Sequence, residues 1–194
     1  MTLLVLLSGW PLMGQADSAG AKFLNEVRDA TVKYRDPARA TADGYRPLGP
    51  ETAAMGQHWV NLRLLVGGRV DPAAPQILQY ATVGDTRVLV GVAFGVPLDD
   101  EEALPDPPVP GTSWHSHWGT LDDEALNGKH AGMETRAGDR VAVLHVWAWV
   151  TNPAGAFEAE NWLLPLAVWV RVLGAPPAPA GLPDPSADPR RASP

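Results

Sequence analysis

The pattern in this chain that is most suited to chemistry is a pair of histidines separated by a single residue, His115 and His117. Their neighbours Trp114 and Trp118 are typical of a β-strand, where alternate side chains share a face, so both imidazoles can reach one ion. Neutral imidazole is the commonest protein ligand for transition metals. The H-x-H spacing therefore predicts a metal site, and two ordinary surface histidines on an edge strand are the alternative.

Two more histidines lie in similar apolar segments. His145 belongs to the segment 141–149, which is apolar on both faces, so a ring there needs a metal or a hydrogen-bond partner. Strand alternation predicts that it shares a face with Trp147 and Trp149. His58 lies in a shorter segment of the same kind, where a ligand and a core histidine are equally supported. The predicted ligands are His58, His115, His117 and His145.

The fifth histidine, His130, is flanked by glycines in a polar segment, so exposure is the default expectation. Nearby carboxylates could complete a mixed site but have no distinctive spacing, so we interpret them as solvated charges. They are Asp122, Asp123, Glu124 and Glu134. Met55 and Met133 each lie three residues from a histidine, where a thioether could bind Cu(I) or serve only in packing.

Composition narrows the functional classes. The chain has 194 residues, a net charge of −7 and no lysine or arginine cluster, which argues against nucleic acid or an anionic membrane as a partner. It has no cysteine, so thiolate metal sites, disulfides and cysteine nucleophiles are excluded. Serine-nucleophile, phosphate-loop and dinucleotide motifs are also absent, so catalysis without a metal is not expected.

Imidazole ligands suit copper, zinc, iron and nickel alike, and copper is favoured because Cu(II) stands highest in the affinity order. Four histidines would close the coordination shell of a binding protein that sequesters or delivers the ion. Three would leave an open position for a metalloenzyme, with redox chemistry on copper or iron or hydrolysis on zinc. The sequence favours binding and leaves the enzyme open.

Eight tryptophans support a third interpretation, an aromatic cleft for a small apolar or sugar ligand. The same residues would equally serve a plain β-core. The five that flank the histidines are Trp59, Trp114, Trp118, Trp147 and Trp149.

The surrounding pattern predicts a mainly β fold, an antiparallel barrel or sandwich of about six strands with an N-terminal helix packed on it. The helix is expected from Ala19 to about Arg39, because apolar residues recur there every three or four positions. Strands are expected at 58–66, 76–83, 87–96, 112–118, 140–151 and 164–173. Gly84-Asp85 predicts a hairpin between the second and third.

The chain divides into residues 1–16, a single β-rich domain over 17–173, and a proline-rich tail over 174–194 expected to be disordered. Leu3–Leu7 is an apolar run followed by the small-residue sequence Gly14-Gln15-Ala16, the pattern of a signal peptide, although no basic residue precedes it. We therefore expect a secreted or periplasmic protein. The segment from Pro97 to Gly111 is proline-rich and acidic and predicts an exposed loop.

Several short motifs together resemble a family of uncharacterised secreted bacterial proteins. They are Met55-Gly56-Gln57-His58-Trp59, the H-x-H pair, His145-Val146-Trp147-Ala148-Trp149, Asn152-Pro153-Ala154-Gly155-Ala156-Phe157 and Asn161-Trp162-Leu163-Leu164-Pro165. That family implies secretion but no activity. The order His115, His117, Asp122, His145 also resembles the cupin barrels, which implies a barrel with these four residues around a metal. The glycine and proline positions of the cupin motifs do not match.

Overall fold

The computed structural model describes residues 14–99, 101–118, 140–166 and 168, with side chains described from Ala19 onward and not for Trp118. His130, Met133 and the four candidate carboxylates between 122 and 134 lie outside these ranges, as do the apolar run near the N-terminus and the proline-rich tail.

Six antiparallel strands form one curled, half-barrel sheet, which confirms the predicted fold class. In chain order they are β1 (Arg46–Thr52), β2 (Gly56–Val60), β3 (Ile77–Val83), β4 (Thr86–Leu98), β5 (His115–Trp118) and β6 (Arg140–Val146). Their order across the sheet is β1-β2-β3-β4-β6-β5, so β6 lies between β4 and the edge strand β5. The hairpin at Gly84-Asp85 is confirmed, with Val83 paired to Thr86.

The N-terminal helix α1 (Gly14–Thr31) packs on one face of this sheet. Phe23 and Val27 lie in the same apolar cluster as Leu78, Phe94 and Leu144. Because side chains alternate along each strand, these residues define one face and their neighbours in sequence define the other. We call the first the helix face and the second the histidine face.

The predicted single helix is shorter than expected and is interrupted. Helix α1 gives way to a 3₁₀ turn at Val32–Arg35, and a new helix α2 covers Pro37–Ala42. Proline fits the first turn of a helix and Asp36 caps it by accepting a hydrogen bond from the Ala38 N–H at 2.9 Å. Pro37 therefore begins a second helix within the range that was predicted as one.

Two predicted strands are partly helical. The prediction of 58–66 holds only to Val60, because the Asn61 side chain accepts from the Leu64 N–H and starts helix α3 (Leu62–Val66). Residues 164–166 and 168 are also helical where a strand over 164–173 was expected. There Asn161 accepts from the Leu163 N–H, and Pro165 favours a first helical turn over a central strand.

The predicted strand over 140–151 ends early, at Val146. A tight turn follows, in which the Ala148 N–H donates to the Val146 carbonyl at 2.8 Å. This turn breaks the alternation. Trp147 stays on the histidine face, but Trp149 packs toward the helix face and donates its indole N–H to Thr31 Oγ1 at 3.0 Å. The expectation that His145 shares a face with Trp149 is therefore wrong.

The proline-rich segment after β4 is irregular and largely exposed at Asp99 and over residues 101–111, as predicted, although Pro97 and Leu98 still belong to the strand. The described helices include none long and apolar enough to cross a membrane.

Candidate functional site

His145 lies near the end of β6 on the histidine face and is 0 % exposed. Its register partner on β4 is Ala93, a small residue that leaves space above the strand. A buried imidazole loses the hydration of its charged form, and the resulting cost makes burial the main cause that lowers the pKa of His145 well below its usual range. The neighbouring imidazoles of His58, His115 and His117 lower it further, and a weak interaction with the Ala159 backbone acts in the opposite direction. The ring is therefore neutral near pH 7.

The H-x-H pair lies on the edge strand β5, directly beside this ring. His115 pairs with Val143 and His117 with Val141, so both share the face of His145. The ring centroids of His115 and His117 are 4.8 Å apart, and those of His115 and His145 are 5.1 Å apart. Both β5 rings are partly exposed.

His58 lies on the same face of the sheet, but on a strand near the opposite edge. Its strand, β2, is three strand spacings from β6, about 14 Å in a flat sheet. Its ring centroid nevertheless lies 5.5 Å from that of His145, with the two planes nearly perpendicular. The sheet therefore curls toward the histidine face, and this curvature brings together the four predicted histidines. We call His58, His115, His117 and His145 the histidine cluster.

Beneath the cluster lies Gln79, a fully buried residue of β3 that is paired in register with His58. Its side-chain nitrogen is 3.2 Å from His145 Nδ1 and donates to the Met55 carbonyl at 3.2 Å. The facing residue on β4 is Gly91, where a Cβ atom would lie 2.8 Å from Gln79 Oε1. The glycine thus makes room for the buried amide.

Two apolar clusters on the histidine face border this polar group. One contains Leu65, Ile77 and Val143, and the other contains Trp147 and Leu164. Apolar walls exclude water and strengthen electrostatic interactions between the groups that they enclose. The histidine cluster is therefore a polar group surrounded by apolar side chains on this face of the sheet.

Imidazoles that share one ion through bonds of about 2.0–2.1 Å have ring centroids about 5 Å apart. The three centroid distances given above, 4.8, 5.1 and 5.5 Å, are close to this value. As their atoms stand, however, the described residues include no three His, Asp or Glu side chains grouped so that they could hold a metal ion. Ring rotations would be needed to turn the nitrogens toward a common point.

The tryptophans beside the histidines whose side chains the structure describes do not line one common cleft. Trp59 and Trp114 are buried in the cluster on the helix face, where Trp59 contacts Tyr80 with ring centroids 4.9 Å apart. Trp147 is buried on the opposite face, and its indole N–H donates to the Glu158 carbonyl at 2.7 Å. These three side chains therefore pack in the apolar clusters on opposite faces of the sheet.

Two surface pockets among the described residues lie away from the cluster. One, of about 810 Å³, is lined by Lys33, Tyr34 and Asn61, and the other, of about 480 Å³, by Thr82 and Leu164. Neither is lined by a histidine or a tryptophan.

Comparison with protein-family models, with curated proteins and with solved structures finds no match. The resemblances to a secreted bacterial family and to cupins therefore stay predictions. One of the motifs that carry them, Asn152-Pro153-Ala154-Gly155-Ala156-Phe157, has a structural role here. Asn152 closes its loop through the Glu160 carbonyl and the Ala154 N–H, and Phe157 packs against Phe23.

Sequence reasoning missed Gln79. Gln79 carries a weak signal, because a glutamine in the segment 77–83 is also expected on the solvated face of a half-buried strand. Only the structure shows that Gln79 is fully buried, and a buried amide must find hydrogen-bond partners.

Proposed function

We propose that this protein binds one transition-metal ion, with copper favoured, through His58, His115, His117 and His145. The observation that carries the proposal is that four imidazoles from three strands lie next to one another. The ring centroids are 4.8 Å apart for His115 and His117, 5.1 Å for His115 and His145, and 5.5 Å for His58 and His145. Four of the five histidines in the chain lie in this one place. Burial and the neighbouring imidazoles hold the pKa of His145 well below its usual range, and a neutral imidazole is the form that binds a metal.

The protein environment supports a binding role. His145 is held from below by Gln79, while His58, His115 and His117 are partly exposed, so an ion can enter from the solvent side and reach a fixed inner ligand. Sequestration or delivery of the ion is the function that this arrangement supports best. Imidazole nitrogen without thiolate suits Cu(II), which leads the affinity order, ahead of zinc.

The direct test is calorimetric titration of untagged, metal-free protein with Cu(II) and Zn(II), checked by elemental analysis. We expect one ion per chain. Replacing His115 and His117 together with alanine removes two ligands and is expected to lower the affinity at least 100-fold while leaving the far-ultraviolet circular dichroism unchanged.

His130→Ala is the matched control, since it removes one imidazole from a segment for which the sequence predicts exposure. It is expected to keep the parent affinity. If the double variant bound Cu(II) and Zn(II) as tightly as the parent, the site would be elsewhere and the proposal would be overturned.

A closed site and an open catalytic site respond differently to small anions. With four histidines bound, azide is expected to leave the visible spectrum of the Cu(II) protein unchanged. A new azide-to-copper absorption band would show an open coordination position and favour the metalloenzyme.

We also propose that the protein is exported, on the basis of the apolar run and the small-residue sequence that ends at Ala16. Mass spectrometry of the protein from its native host is expected to find a mature N-terminus near Asp17, in the secreted or periplasmic fraction. An intact Met1 in the cytosol would contradict export, without bearing on the metal site.

A further inference from the structure

The orientation of the Gln79 amide is fixed by a neighbour that can only accept a hydrogen bond. The Met55 carbonyl oxygen lies 3.2 Å from one end of the amide, so that end must be the NH₂ group. The same nitrogen lies 3.2 Å from His145 Nδ1. One N–H therefore points to each partner, and Nδ1 of His145 is an acceptor.

This hydrogen bond determines where the proton of His145 lies. A neutral imidazole carries one N–H, and since Nδ1 accepts, the proton is on Nε2. Nε2 is buried and makes no hydrogen bond of standard geometry, although the Ala159 backbone interacts with the ring and raises the pKa of His145 against the effect of burial. Gln79 Oε1 is also buried and has no hydrogen-bond partner among the described residues.

The proton on Nε2 opposes metal binding. An ion needs a ring nitrogen with a free lone pair, and Nδ1 is already occupied by the Gln79 N–H. Nε2 is the nitrogen left for the ion, but it must first lose its proton. Metal-bound histidines usually donate their other N–H to an acceptor, which holds the ring and raises its basicity.

We propose that Gln79 is a positioning residue that switches the tautomer of His145 when the ion binds. This inference rests on the proposed metal site. As Nε2 gives its proton to solvent, Nδ1 takes one from solvent, so the ring stays neutral. The amide of Gln79 turns over, and its Oε1, now without a partner among the described residues, accepts from the new Nδ1–H. The Met55 carbonyl loses its N–H donor, which favours the present arrangement while the ion is absent.

Long-range ¹⁵N–¹H correlation spectra of the four imidazoles test the switch directly, with Zn(II) as the diamagnetic probe. In metal-free protein His145 is expected as the Nε2–H tautomer, and after one equivalent of Zn(II) as the Nδ1–H tautomer. An Nδ1–H tautomer already present without metal would overturn the proposal, and so would Nε2–H persisting in zinc-bound protein. Failure of Zn(II) and Cu(II) alike to bind would instead refute the metal site, and the metal-free spectrum would still test the Gln79 contact.

Two substitutions separate positioning from packing. The carboxylate of Gln79→Glu can only accept, so it is expected to produce the Nδ1–H tautomer without metal and to raise the Zn(II) affinity about tenfold. Gln79→Leu offers no acceptor and is expected to lower that affinity about 10–100-fold. A purely structural role would make both variants weaker than the parent, and that result would overturn the proposal.

Gln76→Leu is the matched control. Gln76 is the other buried glutamine at this end of the sheet, but it bonds to the backbone of Arg69 and Gly95 and not to a histidine. Its replacement is expected to leave the His145 tautomer and the Zn(II) affinity unchanged. If Gln79→Glu does not fold, the spectra of the parent protein and the affinities of the two leucine variants still decide the question.

Discussion

The two faces of the sheet are built on opposite principles. The helix face buries a continuous apolar cluster around Phe94, and its buried polar tips are satisfied, as when Tyr80 donates to the Tyr34 carbonyl at 2.6 Å. The histidine face instead buries an imidazole and an amide between two smaller apolar clusters. Burying polar groups costs free energy, so the first face is the one that provides stability, and the second carries the groups for which we propose a ligand.

The largest expected effect on stability comes from breaking the helix face. Phe94 is fully buried and its ring centroid is 5.6 Å from that of Phe23. Phe94→Ala is expected to lower the free energy of unfolding by about 3–5 kcal/mol through lost burial and a cavity. Urea denaturation measures this, and the Zn(II) affinity of the fraction that remains folded should match the parent. A loss of less than about 1 kcal/mol would show that the helix face is not the main source of stability.

Metal binding at the histidine face should raise the free energy of unfolding. An ion held by β2, β5 and β6 binds the folded chain, so at a free concentration 100 times its Kd it is expected to raise the free energy of unfolding by about 2.7 kcal/mol. Thermal melts with and without Zn(II) measure the gain, with the His115→Ala/His117→Ala variant as the control. An unchanged melting temperature for the parent would argue that the four histidines are core and surface residues only.

The pH dependence of the free energy of unfolding of the metal-free protein also distinguishes the two faces. The pKa of His145 is lowered in the folded protein, so below about pH 6.5 the unfolded chain binds a proton that the folded chain does not. Stability is therefore expected to fall as the pH is lowered through 6.5, by at most about 1.4 kcal/mol per pH unit from this residue. Urea melts at pH 7.5 and 5.5 measure it. His145→Leu should show a shallower decrease, and an equal slope in both proteins would contradict the assignment to His145.

The smallest expected effect is that of removing the buried imidazole at neutral pH. His145→Leu removes a desolvated ring but also takes one acceptor from Gln79, and these opposing changes are expected to keep the metal-free stability within about 1 kcal/mol of the parent at pH 7.5. Copper affinity should nevertheless fall at least 100-fold. A loss near that of Phe94→Ala would mean that the histidine face contributes to stability as the helix face does.

Strand alternation made much of this arrangement predictable. The one-residue spacing of His115 and His117 places both rings on the same face in any strand register, and a histidine inside an apolar strand such as β6 must be buried with a partner. The hairpin at Gly84-Asp85 was predictable because such turn residues fit a two-residue connection.

Other features depend on capping and tertiary position. Asn61 ends β2 and starts α3 through one side-chain hydrogen bond, which hydrophobic periodicity does not register. Strand β1 carries Pro47 and Pro50, which argue against a central strand, but β1 lies at the sheet edge where a missing N–H is tolerated. The approach of His58 to His145 comes from the curl of the whole sheet, which no local pattern encodes.

X-ray absorption spectroscopy of protein loaded with one equivalent of Cu(II) tests the central claim most directly. We expect four nitrogen neighbours at about 2.0 Å from the copper, with outer-shell scattering from several imidazole rings. In the His115→Ala/His117→Ala variant that imidazole scattering should be reduced or the copper not retained. A shell of oxygen neighbours without imidazole scattering, or a spectrum unchanged in the variant, would contradict the proposal that these four histidines hold the ion.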